Sequence, residues 1–206
     1  MPPPFDMTYT IFFCEEDKDT IDLLNESHPF PRQVCLNLWT LPKTRLMRRA
    51  IGRNLAAKAT TADWIWFTDA DVVFGSGALD SLPRVLENLK GPLAYPERII
   101  KTSFEVGDYL IKQRQRIHEF PEHYFTDPEV LNRAIGPCQI VRGSVAVDLG
   151  YCENTEFQQE EIEWKRTFED VRFREILGLD GAPISLPNVY LVRHTLRGRY
   201  TVGAKL

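Results

Sequence analysis

Two aspartates spaced i, i+2, Asp69 and Asp71, close the bulky run Trp64-Ile65-Trp66-Phe67-Thr68, and Val72-Val73-Phe74 follows them. Two close carboxylates repel each other, and a hard divalent cation placed between them and a phosphate relieves that repulsion. The same residues also read as a strand ending in an Asp-rich turn, where aspartate is favoured anyway. An Asp-x-Asp pattern by itself does not choose between the two. A run so rich in aromatic and β-branched residues predicts a buried strand. Open α/β sheets bind ligands beyond the carboxyl ends of their strands, which is where both aspartates fall.

A second acidic pair, Glu169-Asp170, follows Thr167-Phe168 at the start of a helix predicted to reach Leu177 and stop at Gly178. Thr167 with Asp170 three residues on forms a capping box, and carboxylates at a helix N-terminus are favoured by the macrodipole. Arg45, Arg49 and Arg53 make a stripe on a predicted helix from Lys43 to Thr60, almost opposite an apolar stripe of Met47, Ile51, Leu55 and Ala59. Such arginines form either a solvated face or cationic help for a phosphate, because this helix feeds the Asp69/Asp71 strand.

These groups must be positioned by an α/β fold. Tyr9–Cys14 predicts a first strand running into Glu15-Glu16-Asp17-Lys18-Asp19 and a helix carrying Ile21, Leu23 and Leu24. Val34–Trp39 predicts a second strand. After the Asp-bearing strand come a Gly75-Ser76-Gly77 turn, a helix over 78–89 and a short strand within 91–96. That alternation of strand and helix is the pattern of an α/β sheet. Beyond it, residues 103–117 predict a helix with Arg114 and Arg116, followed by a loop over 118–128. Gln139–Arg142 predicts a strand leading to a turn or short helix that ends at Gly150-Tyr151. An acidic loop, 153–166, surrounds Trp164, and Val189–Val192 predicts a last strand trailed by Arg193, His194, Arg197 and Arg199. The expected organisation is one domain over 1–206, with halves meeting near residue 97.

The chain has 206 residues, enough for a proper core, with 43% hydrophobic and 26% charged residues, the balance of a soluble globular protein. A net charge of −4 argues against a general nucleic-acid or acidic-membrane surface. Cys14, Cys35, Cys138 and Cys152 lack C-x-x-C spacing, which predicts free thiols in a reducing compartment rather than a zinc site. No apolar run approaches the ~20 residues of a membrane span. The start, Met1-Pro2-Pro3-Pro4, lacks signal-peptide character. The expectation is a cytoplasmic protein.

Three blocks resemble the GT-A glycosyltransferases, the family-2-like enzymes and the related galactosyltransferase-type C-terminal region above all. They are Gly52-Arg53-Asn54-Leu55-Ala56-Ala57-Lys58-Ala59 before Trp64–Asp71, the glycine-bounded segment Gly136–Tyr151, and Phe168-Glu169-Asp170-Val171-Arg172-Phe173. The resemblance implies a Rossmann-like mixed sheet flanked by helices, with a nucleotide-sugar and metal-binding half (8–97) and a smaller acceptor-binding half (98–206). It implies a nucleotide-diphospho-sugar donor and Asp71 on Mn²⁺ or Mg²⁺ bridging the phosphates, a cation that neutralises the departing diphosphate. Asp69 would touch sugar or ribose, and Arg53 would help bind donor phosphate. Asp170 would be the general base of an inverting transfer to a sugar, lipid or protein acceptor. Glu169 would bind acceptor hydroxyls, Trp164 would stack on an acceptor sugar, and His194 would be a further metal ligand. Structural roles remain open for each: Asp170 as a cap, Trp164 as a core anchor, His194 as an ordinary post-strand histidine.

One departure from the family pattern lies before Lys43, where there are two strands and one helix. If Tyr9–Cys14 corresponds to the family's second strand, Asp17 or Asp19 would contact the nucleobase and the first strand would have no counterpart. This keeps open a GT-A-like protein that binds without turnover, and a shortened sheet edge would be a natural place for a homo-oligomer. A haloacid-dehalogenase-like phosphatase is the other alternative, with Asp69 as nucleophile, Asp71 as acid/base and Glu169-Asp170 on magnesium. At least two strands precede its nucleophile motif here, where that family has none.

Overall fold

The computed structural model describes residues 7–13, 34–113 and 122–196. The predicted acidic helix after the first strand, with Asp17 and Asp19, lies outside these residues, as do Arg114, Arg116, Arg197 and Arg199.

Trp64–Phe67 forms β3, and all four of its side chains are buried. A strand covered on both faces needs such an unbroken apolar run. It pairs in parallel with β1 (Met7–Phe13), which pairs in parallel with β2 (Val34–Thr40). On its other side β3 pairs antiparallel with β8 (Gln139–Arg142), then come β5 (Leu93–Pro96) and β9 (Ala182–Ile184), giving the order β2-β1-β3-β8-β5-β9. A second sheet has the order β4-β10-β6-β7, from β4 (Val72–Phe74), β10 (Val189–Leu191), β6 (Arg98–Lys101) and β7 (Asp127–Val130). The fold is therefore mixed α/β with two mixed sheets and flanking helices. Strands from before and after residue 97 interleave in the first sheet, and in the second β4 lies at the edge beside three later strands.

The helix expected over Lys43–Thr60 is two helices, α1 (Lys43–Leu46) and α2 (Arg49–Ala59). Arg48 between them is extended, with φ −122° and ψ 91°, and its guanidinium meets Glu161 at 2.7 Å. The break resets the helical phase. Ala50, Ile51, Gly52, Arg53, Ala56 and Ala57 turn inward, while Ala59 of the predicted apolar stripe is exposed. The arginine stripe is accordingly not a solvated face, because Arg53 is fully buried.

The predicted helix over 78–89 is α3 (Ala78–Glu87), with Leu79, Leu82 and Leu86 inward. The helix over 103–117 is described as α4 (Phe104–Gln113), and the turn or short helix after β8 is α5 (Gly143–Leu149). The last helix, α6 (Glu169–Leu177), ends on Gly178 at φ 68°, as its sequence predicts. Its start corrects the capping-box reading. Phe168 is the N-cap and no side chain caps the helix, because the Thr167 hydroxyl is hydrogen-bonded to the Glu169 carboxylate. The sequence reading also missed β6, β7 and β9. Pro128 and Pro183 sit in β7 and β9, the terminal strands of their sheets, where a missing N–H is tolerated. Among the described residues no helix is long and apolar enough to cross a membrane.

β10 carries the chain's late histidine to the Asp-bearing turn. It runs antiparallel to β4, with Leu191 opposite Val72, and the Val192 N–H donates to the Asp71 carbonyl at 2.8 Å. The following residues lie on α4. The Arg193 N–H donates to Thr102 Oγ1 at 2.9 Å, and the Thr195 N–H and hydroxyl both reach Asp108 at 2.6 Å. Gly107 permits this approach, since a Cβ there would stand 1.8 Å from the Arg193 carbonyl oxygen. Gly107→Ala should therefore cost on the order of 3 kcal/mol through overpacking against backbone. In a chain of this size that is a fall in Tm of roughly 6–12 °C by calorimetry. An unchanged Tm would mean that the segment after β10 is not packed on α4.

Candidate active site

The turn Thr68-Asp69-Ala70-Asp71 links β3 of the first sheet to β4 of the second. Its two aspartates have different surroundings. Asp69 Oδ2 accepts from Arg49 Nη1 at 2.5 Å and Asp69 Oδ1 from Arg53 Nη2 at 2.7 Å. Asp71 faces the other way, with its Oδ2 3.6 Å from His194 Nε2. Asp71 Oδ1 and His194 Nδ1 are buried and have no hydrogen-bond partner among the described residues.

The arginines reach Asp69 because they lie one turn apart on α2, which packs against α5. Arg53 also donates to the Tyr151 hydroxyl at 2.8 Å, and that hydroxyl donates to Gln139 Oε1 at 2.6 Å. Gln139 Nε2 in turn donates to the Asp170 carbonyl at 3.3 Å. Asn54 Oδ1 accepts from the Tyr151 N–H at 2.8 Å, and Gly150 (φ 66°) leaves the room, since a Cβ there would come within 2.4 Å of Asn54 Oδ1. Arg49 completes the circuit by donating from Nε to Glu169 Oε1 at 2.7 Å. The three blocks Gly52–Ala59, Gly136–Tyr151 and Phe168–Phe173 are thus joined in one hydrogen-bonded network.

Electrostatics follow from that wiring. Burial works to raise the Asp69 pKa, but Arg49 and Arg53 outweigh it and hold the carboxyl below its usual range. Glu169 behaves likewise, its burial opposed by Arg49 and Arg53 and by the Thr167 hydroxyl. Arg49 is raised chiefly by Asp69. Burial pushes the Cys152 thiol up to about 12, and its Sγ donates to the Glu169 carbonyl at 3.1 Å. Cys138 and Cys152 are buried free thiols.

The residues singled out from sequence are placed as follows. Asp71 and His194 come together. Asp69, Arg53 and Glu169 come together in the network, with Arg53 and Glu169 each only 1% exposed in their side chains. Asp170 is half-buried beside them, and its carboxyl carbon is 4.0 Å from the position a Cβ on Gly136 would take. Trp164 is half-buried on the 159–166 segment, which Arg45 and Arg48 hold through Glu160 and Glu161. Arg193 pairs with Asp127 at 3.0 Å and lies over the Phe104 ring. Asp17 and Asp19 lie outside the described residues. Sequence reasoning did not identify Tyr151 or Gln139 as partners of these groups; the only signal was Tyr151's place at the end of the second block.

Among the described residues no cluster of three or more His, Cys, Asp or Glu side chains is arranged to hold a metal by itself. Asp71 and His194 nevertheless bring a carboxylate and an imidazole, both ligand types for a divalent cation, to 3.6 Å, and each keeps a buried atom without a partner among the described residues. Mg²⁺-type sites are often completed by substrate phosphates and water. The arrangement does not suit a phosphatase nucleophile, because both oxygens of Asp69 are held by guanidinium groups.

The family profile described as Glycosyl transferase family 2 matches residues 40–150, more than half of the chain. The match includes α2, the Asp69/Asp71 turn, Gln139 and the segment up to Gly150. No curated protein matches the chain.

The pairs around Asp69 carry a pH signature. Asp69 and Glu169 are both held below their ordinary values, so the stability they contribute is complete above the unfolded-state values of about 4. It is lost as the pH falls below that point through the folded values. Asp69→Asn should lower stability at pH 7 by about 3 kcal/mol, because a buried arginine loses its counter-charge. The same substitution should flatten the fall in stability between pH 4 and lower pH, measured by denaturant melts. An unchanged acid slope would show that Asp69 is not charged in this network.

Proposed function

Because the chain belongs to glycosyl transferase family 2, we propose that it moves a sugar from a nucleotide-diphospho-sugar to an acceptor hydroxyl with inversion, Asp170 taking the acceptor proton. The observation that carries this reading is the bridge from Asp69 through Arg49 to Glu169. It puts the turn bearing Asp71 beside the helix start bearing Asp170.

On this reading Asp71 and His194 are the residues that would hold Mn²⁺ or Mg²⁺ for the donor diphosphate. The cation would neutralise the charge that develops on the leaving group. Asp170 accepts the proton from the acceptor hydroxyl as its oxygen attacks the anomeric carbon. The new oxygen–carbon bond forms on one face of the sugar. The bond to the diphosphate breaks on the other, and the nucleoside diphosphate departs with the electron pair. Gln139 and Tyr151 steady the backbone of Asp170 during this step. Glu169, held by Arg49 and Thr167, orients the helix start rather than free hydroxyls.

Residues 8–97 then supply mainly donor contacts and residues 98–206 mainly acceptor contacts, although their strands interleave. β1 is parallel to β3, so their carboxyl ends lie at the same end of the sheet, which supports a nucleobase contact from Asp17 or Asp19. Trp164 remains the candidate to stack on a sugar acceptor. The buried thiols of Cys138 and Cys152 support a reducing, cytoplasmic setting.

The test is thermal stability of wild type and Asp71→Ala with UDP, GDP, CDP and ADP, each with and without Mn²⁺. A ligand at 100 times its Kd stabilises by about 2.7 kcal/mol. One nucleotide should raise Tm only with Mn²⁺ and only in wild type. Asp170→Asn should keep that response and lower transfer by about 10²–10⁴-fold. A response with no turnover in wild type would leave a binding protein, and no response to any nucleotide would remove the donor site.

A further inference from the structure

We infer that Arg49 is a positioning residue that sets the spacing between the metal-side turn and the base. The inference rests on the reading of Asp71 and Asp170 given above.

Arg49 hydrogen-bonds both acidic elements directly. Its Nη1 meets Asp69, two residues before Asp71, at 2.5 Å. Its Nε meets Glu169, the residue before Asp170, at 2.7 Å. A planar fork holds two carboxylates at a fixed separation, whereas a lysine ammonium is a point charge on a flexible stem.

Each carboxylate also has its own second anchor. Asp69 keeps Arg53, and Glu169 keeps Thr167. Removing Arg49 therefore leaves Asp69 paired with Arg53 and Glu169 hydrogen-bonded to the Thr167 hydroxyl but short of a counter-charge, and it cuts the direct tie between the two elements. Arg53 differs, being fully buried and bound to Tyr151 within the core.

Arg49 also borders open space. Its side chain is 39% exposed. A Cβ built on Gly136 would lie 3.6 Å from its Nη1, 3.9 Å from its Nη2 and 4.0 Å from the Asp170 carboxyl carbon. The guanidinium and the Asp170 carboxyl thus flank one methyl-sized gap above Gly136, each at van der Waals distance from it. That gap is where an acceptor hydroxyl would meet the base. A misplacement of about 1 Å in such a gap can cost about 10²-fold in rate.

The experiment compares wild type, Arg49→Met, Arg49→Lys and Arg49→Ala. Hydrogen exchange of the ligand-free proteins comes first. In Arg49→Met the amides of 68–72 and 169–173 should exchange about tenfold faster, while those of α3 stay at the wild-type rate. Turnover is then read as nucleoside diphosphate release from sugar nucleotides of whichever base raised Tm with Mn²⁺. Arg49→Met should keep the nucleotide-dependent rise in Tm and the donor KM, and lose about 10²-fold in kcat. Arg49→Lys should lose nearly as much, and millimolar guanidinium added to Arg49→Ala should restore part of kcat. Unchanged exchange at either segment, or an unchanged kcat, overturns the inference. So does a fall in kcat matched by loss of the nucleotide response, which would make Arg49 merely structural. If wild type itself responds to no nucleotide, the glycosyl-transfer reading fails, and the exchange comparison alone still decides whether Arg49 ties the two elements.

Discussion

A carboxylate withdrawn from water needs its charge answered on the spot, since an unpaired buried ion is among the costliest features a fold can carry. Asp69 meets that requirement with two guanidinium groups. Much of the surrounding geometry follows from bringing them there. With α1 and α2 separate helices, Arg53 lies inside the core and Arg49 at its border. Tyr151 must enter the core to satisfy the second donor of Arg53, and Gly150 must carry a positive φ beside Asn54. Arg49 and Arg53 together match Asp69 and Glu169 charge for charge, so the group is neutral as a whole. Its cohesion is therefore local, with little dependence on the long-range field of the protein.

The sequence made the strongly patterned parts of this fold legible. β3 is an unbroken aromatic and aliphatic run, α3 carries leucines at helical spacing, and α6 has acidic residues at its start and a glycine at its stop. The weakly patterned parts were hidden for physical reasons. β7 and β9 contain prolines and owe their strand state to a neighbour rather than to propensity. The break at Arg48 follows no local signal; it coincides with an ion pair to Glu161, far away in sequence. Most opaque was the inward turn of Arg53. Periodicity sorts residues by polarity, and it places a charged residue outside unless its partner is known beforehand.

The candidate site shows the same division. The Asp-x-Asp spacing was visible, but which aspartate is committed to structure depends on residues from other blocks. Repulsion between two close carboxylates favours a cation between them. The structure answers half of that argument with arginines: Asp69 is already compensated, and only Asp71 retains a buried oxygen without a partner.

The divergence of the two aspartates has its source in the sheets. β3 ends in the first sheet and β4 begins in the second, so the three residues from Asp69 to Asp71 span the crease between them. Side chains two apart would share a face if the strand continued. Across the crease they separate. Asp69 meets α2, and through Arg49 is tied to the start of α6, while Asp71 meets the segment that β10 delivers. Such a crease lets adjacent acids serve different masters, one fastening the elements and the other keeping a buried oxygen without a partner among the described residues. A continuous strand with the same two aspartates would have put both on one face, and the arginines that quiet one would have quieted both.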